Sequence, residues 1–229
     1  MTKGHCFRLF ISAVALLVTA LPSVWAQDQD FGWWYSISVQ HRLTGKWGLS
    51  LAEQVRTNRN LETVDLCFTQ LGLQYSIRKN LRAAISYRFI QRNEIEFWSY
   101  RHGIYADLSW RKKVKPFTVS VRGRLQGRAE DLQLGSESIG PDWFFRTKAA
   151  IQYNTERRWT PHVSCESFLL LRSLDTPYRN GDITRFRYEA GIEYEFNRRH
   201  AVDVSYMLQH NRSPWLDEYI ISTGYAFSF

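Results

Sequence analysis

The stretch RFRYEAGIEYEF, residues 185–196, alternates without a break. Phe186, Tyr188, Ala190, Ile192, Tyr194 and Phe196 fall on one face; Arg185, Arg187, Glu189, Gly191, Glu193 and Glu195 fall on the other. A helix repeats about every 3.6 residues and cannot sort side chains this way, whereas a strand does so automatically. The run is about 12 residues long, more than a soluble strand usually has and close to the roughly 9–11 that cross a bilayer at a tilt.

The same split recurs along the chain. Trp47, Leu49, Leu51 and Val55 oppose Ser50, Gln54 and Arg56; Leu71, Leu73, Tyr75 and Ile77 oppose Gln70, Gly72, Gln74 and Ser76. Segments 81–92, 98–110 and 117–128 repeat it, and 33–43, 143–153, 162–171, 200–210 and 218–229 follow less regularly. Glu53 breaks the pattern by falling on the apolar face, which a bulge or a rim position would accommodate. Connections alternate between short ones (44–46, 78–80, 111–115, 154–159, 197–199) and longer polar ones (57–65, 93–97, 129–142, 172–182, 211–217). Aromatics make up 15% of residues and gather near strand ends. Trp47, Tyr75, Trp110, Tyr194 and Phe227 sit near the short turns, Trp98 and Trp143 near the long loops, as two membrane interfaces would select. The expected fold is all-β, a transmembrane antiparallel up-and-down barrel. About eleven segments are visible, and because bacterial single-chain barrels carry an even number, twelve strands are expected, with ten as the alternative. A secreted β-sandwich or lipocalin-like barrel is the competing fold, and paired aromatic belts on long strands argue against it.

The first 26 residues read as a signal peptide: Lys3, His5 and Arg8, then an apolar run from Leu9 to Leu21, then cleavage after Ala26. The remaining 27–229 are expected to form a single barrel domain exported to a Gram-negative outer membrane. Cys67 and Cys165 sit in apolar strand patterns and read as small hydrophobes, with no metal-ligand spacing. The net charge of +8 would suit nucleic acid in a cytoplasmic protein. Export makes outer-membrane lipids and lipopolysaccharide, or anionic solutes, the expected partners instead. No phosphate-binding glycine loop, zinc spacing or calcium loop is present, and no cofactor is expected.

Three blocks in order carry a family resemblance: WWYSISVQHRLTGKWGLSLAEQVR (33–56), FTQLGLQYSIRKNLRAAISYRFIQR (68–92) and YRHGIYADLSWRKKVKPFTVSVRGRLQ (100–126). Tyr87-Arg88-Phe89, then Arg101-His102, Tyr105 and Asp107, then Arg122 and Arg124 resemble the outer-membrane barrel family catalogued as domain of unknown function 2490. The resemblance covers nearly all of 27–229; it implies an outer-membrane location and supplies no activity.

The inward face is rich in arginine: Arg56, Arg82, Arg88, Arg92, Arg101, Arg122, Arg124, Arg128, Arg146, Arg185 and Arg187, with Lys148. Inward acids are fewer, namely Asp107, Glu166, Glu189, Glu193, Glu195 and Asp203. Such charges either fill a narrow barrel with ion pairs or line a water path that favours anions. The expected role is accordingly structural, or passive passage of small solutes with anions among them. The competing class is a membrane-embedded hydrolase or acyltransferase. Its best candidate is His162, Ser164 and Glu166 on one face of one strand. Alternate strand residues lie about 6.6 Å apart, while a nucleophile and its base need about 3 Å, so these residues are not expected to form a catalytic triad. Loop-end acids and a histidine (Asp65, Glu94, Glu96, His210, Asp217, Glu218) are a still weaker candidate. In the last segment Tyr225, Phe227 and Phe229 continue the outward stripe, and Phe229 resembles the signal by which barrels are handed to their assembly machinery.

Overall fold

The computed structural model describes residues 29–94, 96–130, 141–173, 178–212 and 215–229. The expected signal peptide and its cleavage point lie outside the described residues, as does most of the 129–142 loop. The described residues form eleven strands in one closed barrel: β1 (Gln29–Arg42), β2 (Trp47–Asn58), β3 (Thr63–Arg78), β4 (Leu81–Asn93), β5 (Trp98–Val114), β6 (Phe117–Glu130), β7 (Asp142–Tyr153), β8 (Trp159–Arg172), β9 (Ile183–Glu195), β10 (His200–Arg212) and β11 (Trp215–Ser228).

Neither twelve strands nor ten close this ring. Consecutive strands pair antiparallel, but β1 and β11 meet in parallel, in register from Gln29 opposite Asp217 to Gln40 opposite Ser228. An odd ring makes its first and last strands run the same way. A parallel ladder satisfies backbone N–H and C=O groups nearly as well as an antiparallel one. Inside a bilayer the physical requirement is that no edge stays open, so an even count is a habit of such barrels and not a necessity. Around the seam, Trp33 Nε1 donates to Thr223 Oγ1 at 3.1 Å. Phe229 N donates to Gln40 O at 3.0 Å, and Arg42 N to Phe229 O at 3.1 Å, so the last residue is tied into the ladder.

The long connections are shorter than their polarity suggests. The link between β2 and β3 spans only 59–62, with Arg59, Asn60 and Leu61 all at positive φ, and β10 continues to Arg212. Hydrogen-bonded pairing runs on past the last apolar residue, which hydropathy alone does not show. Glu53 lies neither at a bulge nor at a rim. It pairs with Ile37 and Thr69 on the outer face and accepts the Thr69 hydroxyl at 2.7 Å, while the nearest register shift falls between Arg56 and Thr57.

Outward positions keep their large apolar side chains exposed: Ile37, Leu51, Leu71, Ile85, Ile104, Leu108, Ile192 and Val204 are each at least 44% accessible. An apolar belt this continuous does not face water; it faces lipid. Aromatics flank it in contacting pairs, Trp47 with Tyr75 (4.7 Å between ring centroids), Phe117 with Tyr153 (5.5 Å), Tyr194 with Phe196 (5.1 Å) and Phe227 with Phe229 (5.4 Å) near the short turns, and Phe89 with Tyr100 (5.8 Å) towards the long loops. Trp98 and Trp110 are exposed on the outer surface and Trp143 is half-buried.

Candidate functional site: the barrel interior

The interior divides along the barrel axis into a loop end and a waist of guanidiniums, which one void spans, and a second chamber near the short turns.

At the loop end, among the described residues, Arg92, Arg101, Arg128 and Arg185 stand against Asp65, Glu94, Asp142 and Glu218. Arg101 pairs with Glu94 at 3.0 Å and Arg128 with Asp142 at 3.1 Å, while Arg92 lies 3.8 Å from Asp65. Arg185 Nε donates to Asn211 Oδ1 at 2.6 Å, and Glu218 accepts from Gln209 and Asn211. On the opposite, outer face of β10 and β11, His210 Nδ1 lies 2.6 Å from Asp217 Oδ1.

The waist is different in kind. Arg124 holds Asp107 through two bonds of 2.6 Å, and Glu166 is shared by Arg122 (2.7 Å) and Arg146 (2.9 and 3.2 Å). Arg56, Arg88 and Arg187 meet no carboxylate within ion-pair distance among the described residues. They donate instead to amide oxygens, of Gln54 (2.8 Å), Gln70 (2.5 and 2.9 Å) and Gln209 (2.6 Å). Their guanidinium planes lie over aromatic rings: Arg56 over Trp34 (3.7 Å), Arg88 over Phe68 (3.8 Å) and Tyr105 (4.7 Å), Arg187 over Phe168 (4.8 Å) and Trp34 (5.0 Å). Six guanidiniums against Asp107 and Glu166 leave four positive charges uncompensated at this level. Aromatic faces attract cations, by about 0.5–2 kcal/mol each, without neutralising them. The Arg122 Nε is buried with no hydrogen-bond partner among the described residues.

These rings belong to a set of inward apolar side chains. Trp34, Phe68, Tyr105, Phe168, Met207 and Ile220 share the parity of the polar face, and Tyr105 and Ile220 are each only 1% exposed. The signal that finds them is their parity with Ser36, Gln70, Asp107, Glu166, Ser205 and Ser222. Tyr105 folds back over Gly103, where a Cβ would stand 2.9 Å from its ring and hydroxyl. Trp34, Met207 and Ile220 form a small apolar cluster on the β1–β11 side.

The turn-end chamber carries Arg82, Glu193, His162, Ser164, Glu189 and Asp203 in its lining. Arg82 donates to Gln74 at 3.2 Å. Glu189 accepts from Lys148 (2.7 Å), Ser164 (2.9 Å) and Ser205 (3.0 Å). His162, Ser164 and Glu166 are not assembled into a triad. Ser164 donates to Glu189, Glu166 is held by two arginines, and His162 faces Asp203. Two voids, of about 330 Å³ at the waist and loop end and about 470 Å³ at the turn end, share Arg122, Lys148, Ser164 and Glu189 in their linings, so the chambers adjoin at the waist.

The family described as a protein of unknown function (DUF2490) matches residues 31–218. No curated protein matches the chain in sequence. Among solved structures the barrel is similar to the NanC porin, at TM-score 0.57 and 13% identity over 87% of this chain and 99% of that one. It is also similar to LpxR from Salmonella typhimurium, at TM-score 0.50 and 12% identity over 84% of this chain and 87% of that one. At such identities the likeness is one of fold.

Proposed function

This chain belongs to the DUF2490 family, and we propose that it is a Gram-negative outer-membrane barrel, not an enzyme, that passes small solutes passively and favours anions. The observation that carries the reading is the four-charge surplus of guanidinium at the waist. Uncompensated charge inside a low-dielectric wall is costly unless counterions or water reach it, and rings of arginine select anions. Eleven strands also enclose more space than the roughly eight-stranded barrels that side chains fill completely. The exposed aliphatic belt with flanking aromatics supports the membrane location, and the fold it shares with a porin is consistent with passage.

Proteoliposome uptake tests the reading. Liposomes containing the pure refolded barrel should take up small carboxylates faster than size-matched ammonium ions, and equal or reversed rates would overturn anion preference. Outer-membrane lipids, lipopolysaccharide and the assembly machinery are the proposed partners. Phe229 packs against His41 (4.4 Å) and Phe227, on the outward stripe of β11. Deleting it should reduce insertion, scored by heat-modifiable gel migration, more than replacing any single interior arginine does.

A further inference from the structure

The turn-end chamber holds an arrangement that anion passage does not use. β8, β9 and β10 are neighbours, and register sets His162 opposite Gly191 and Gly191 opposite Ser205. Glu189 and Asp203 are each two residues back along their own strands, so all three side chains share the inner face of adjacent strands. A His162 ring nitrogen and one carboxylate oxygen each from Glu189 and Asp203 lie within 4.8 Å of one another. Gly191 makes room for the imidazole, since a Cβ there would stand 2.8 Å from His162 Cε1. His162 Nδ1 and Asp203 Oδ2 are 3.6 Å apart. That is too far for a hydrogen bond, yet it suits two ligand atoms each about 2 Å from one ion. Among the described residues no donor lies within hydrogen-bond distance of the Asp203 carboxylate.

Charge points the same way. On this wall Glu189, Glu193 and Asp203 face only Lys148, leaving two negative charges; the other cations of the lining, Arg78, Lys79, Arg82, Arg111 and Arg122, come from β3–β6 and the β3–β4 turn. We propose that His162, Glu189 and Asp203 bind a divalent transition-metal ion of the zinc class, with water completing the coordination. One imidazole nitrogen with two carboxylate oxygens is a donor set for such an ion, whereas calcium and magnesium take oxygen ligands. Lys148, 2.7 Å from Glu189 Oε2, competes with a metal ion for the Glu189 carboxylate. The bound ion cancels the two surplus charges of this wall.

Zinc calorimetry and cobalt(II) visible absorption on the detergent-refolded full barrel test the site. One ion per chain is expected. His162→Ala and the near-isosteric Asp203→Asn should each weaken binding by about 10-fold or more, because even residues that only support a ligand cost that much. Lys148→Met should tighten it. Heat-modifiable migration checks that each variant folds. No saturable binding, or equal affinity in wild type, His162→Ala and Asp203→Asn, would overturn the site. Binding is read without any flux measurement, so this proposal and the anion reading fail separately.

Discussion

The waist and the β8–β10 wall of the turn-end chamber share strands and adjoin one another, yet they carry opposite surplus charge. β9 shows the change along one face. Arg185 and Arg187 lie towards the loops, Glu189 and Glu193 towards the turns. The two regions also hold their charges differently. Waist guanidiniums are clamped by planar partners, aromatic faces and amide oxygens, which fixes them as a positive ring. Glu189 at the turn end is held by two hydroxyls and one flexible lysine, partners that can exchange. Period two decides which residues face inward; position along the strand decides the sign they present.

The difference in rigidity should be largest in stability. Asp107→Ala leaves Arg124 buried without its carboxylate and should cost about 3–5 kcal/mol. This is read as a lower temperature for loss of heat-modifiable migration. Glu189→Gln, in the exchangeable region, should cost less, about 1–3 kcal/mol, on the same gel assay; a cost equal to that of Asp107→Ala would erase the contrast. Gly103→Ala should also cost about 1–3 kcal/mol by pushing Tyr105 off the waist arginines, with a matching change in tyrosine near-ultraviolet circular dichroism. Smallest of all, Arg82→Gln removes an exposed arginine bonded only to Gln74 among the described residues. It should stay within about 0.5 kcal/mol of wild type and leave uptake rates unchanged, which separates waist arginines from arginine in general.

The strands, their faces and the lipid-facing stripe were legible because a period of two appears directly in the letters, as in 185–196. The parity of closure was not, because nothing in either β1 or β11 encodes the direction of its partner. At the waist the arginines were visible as inward residues. Their aromatic backing was visible only by extending the same parity to Trp34, Phe68, Tyr105 and Phe168. The His162–Glu189–Asp203 cluster could not be read from spacing, since its members sit on three strands and meet only through register. Hydrophobic pattern fixes register loosely until pairing is known.

The reversal potential across a planar bilayer holding the pure refolded barrel, under a potassium chloride gradient, tests the arginine waist most directly. Wild type should show chloride preference. The triple variant Arg56→Gln, Arg88→Gln, Arg187→Gln, which lowers the waist surplus from four charges to one, should move the potential towards zero. A barrel that passes no current, prefers potassium, or gives the same potential in the triple variant would contradict the waist as an anion filter.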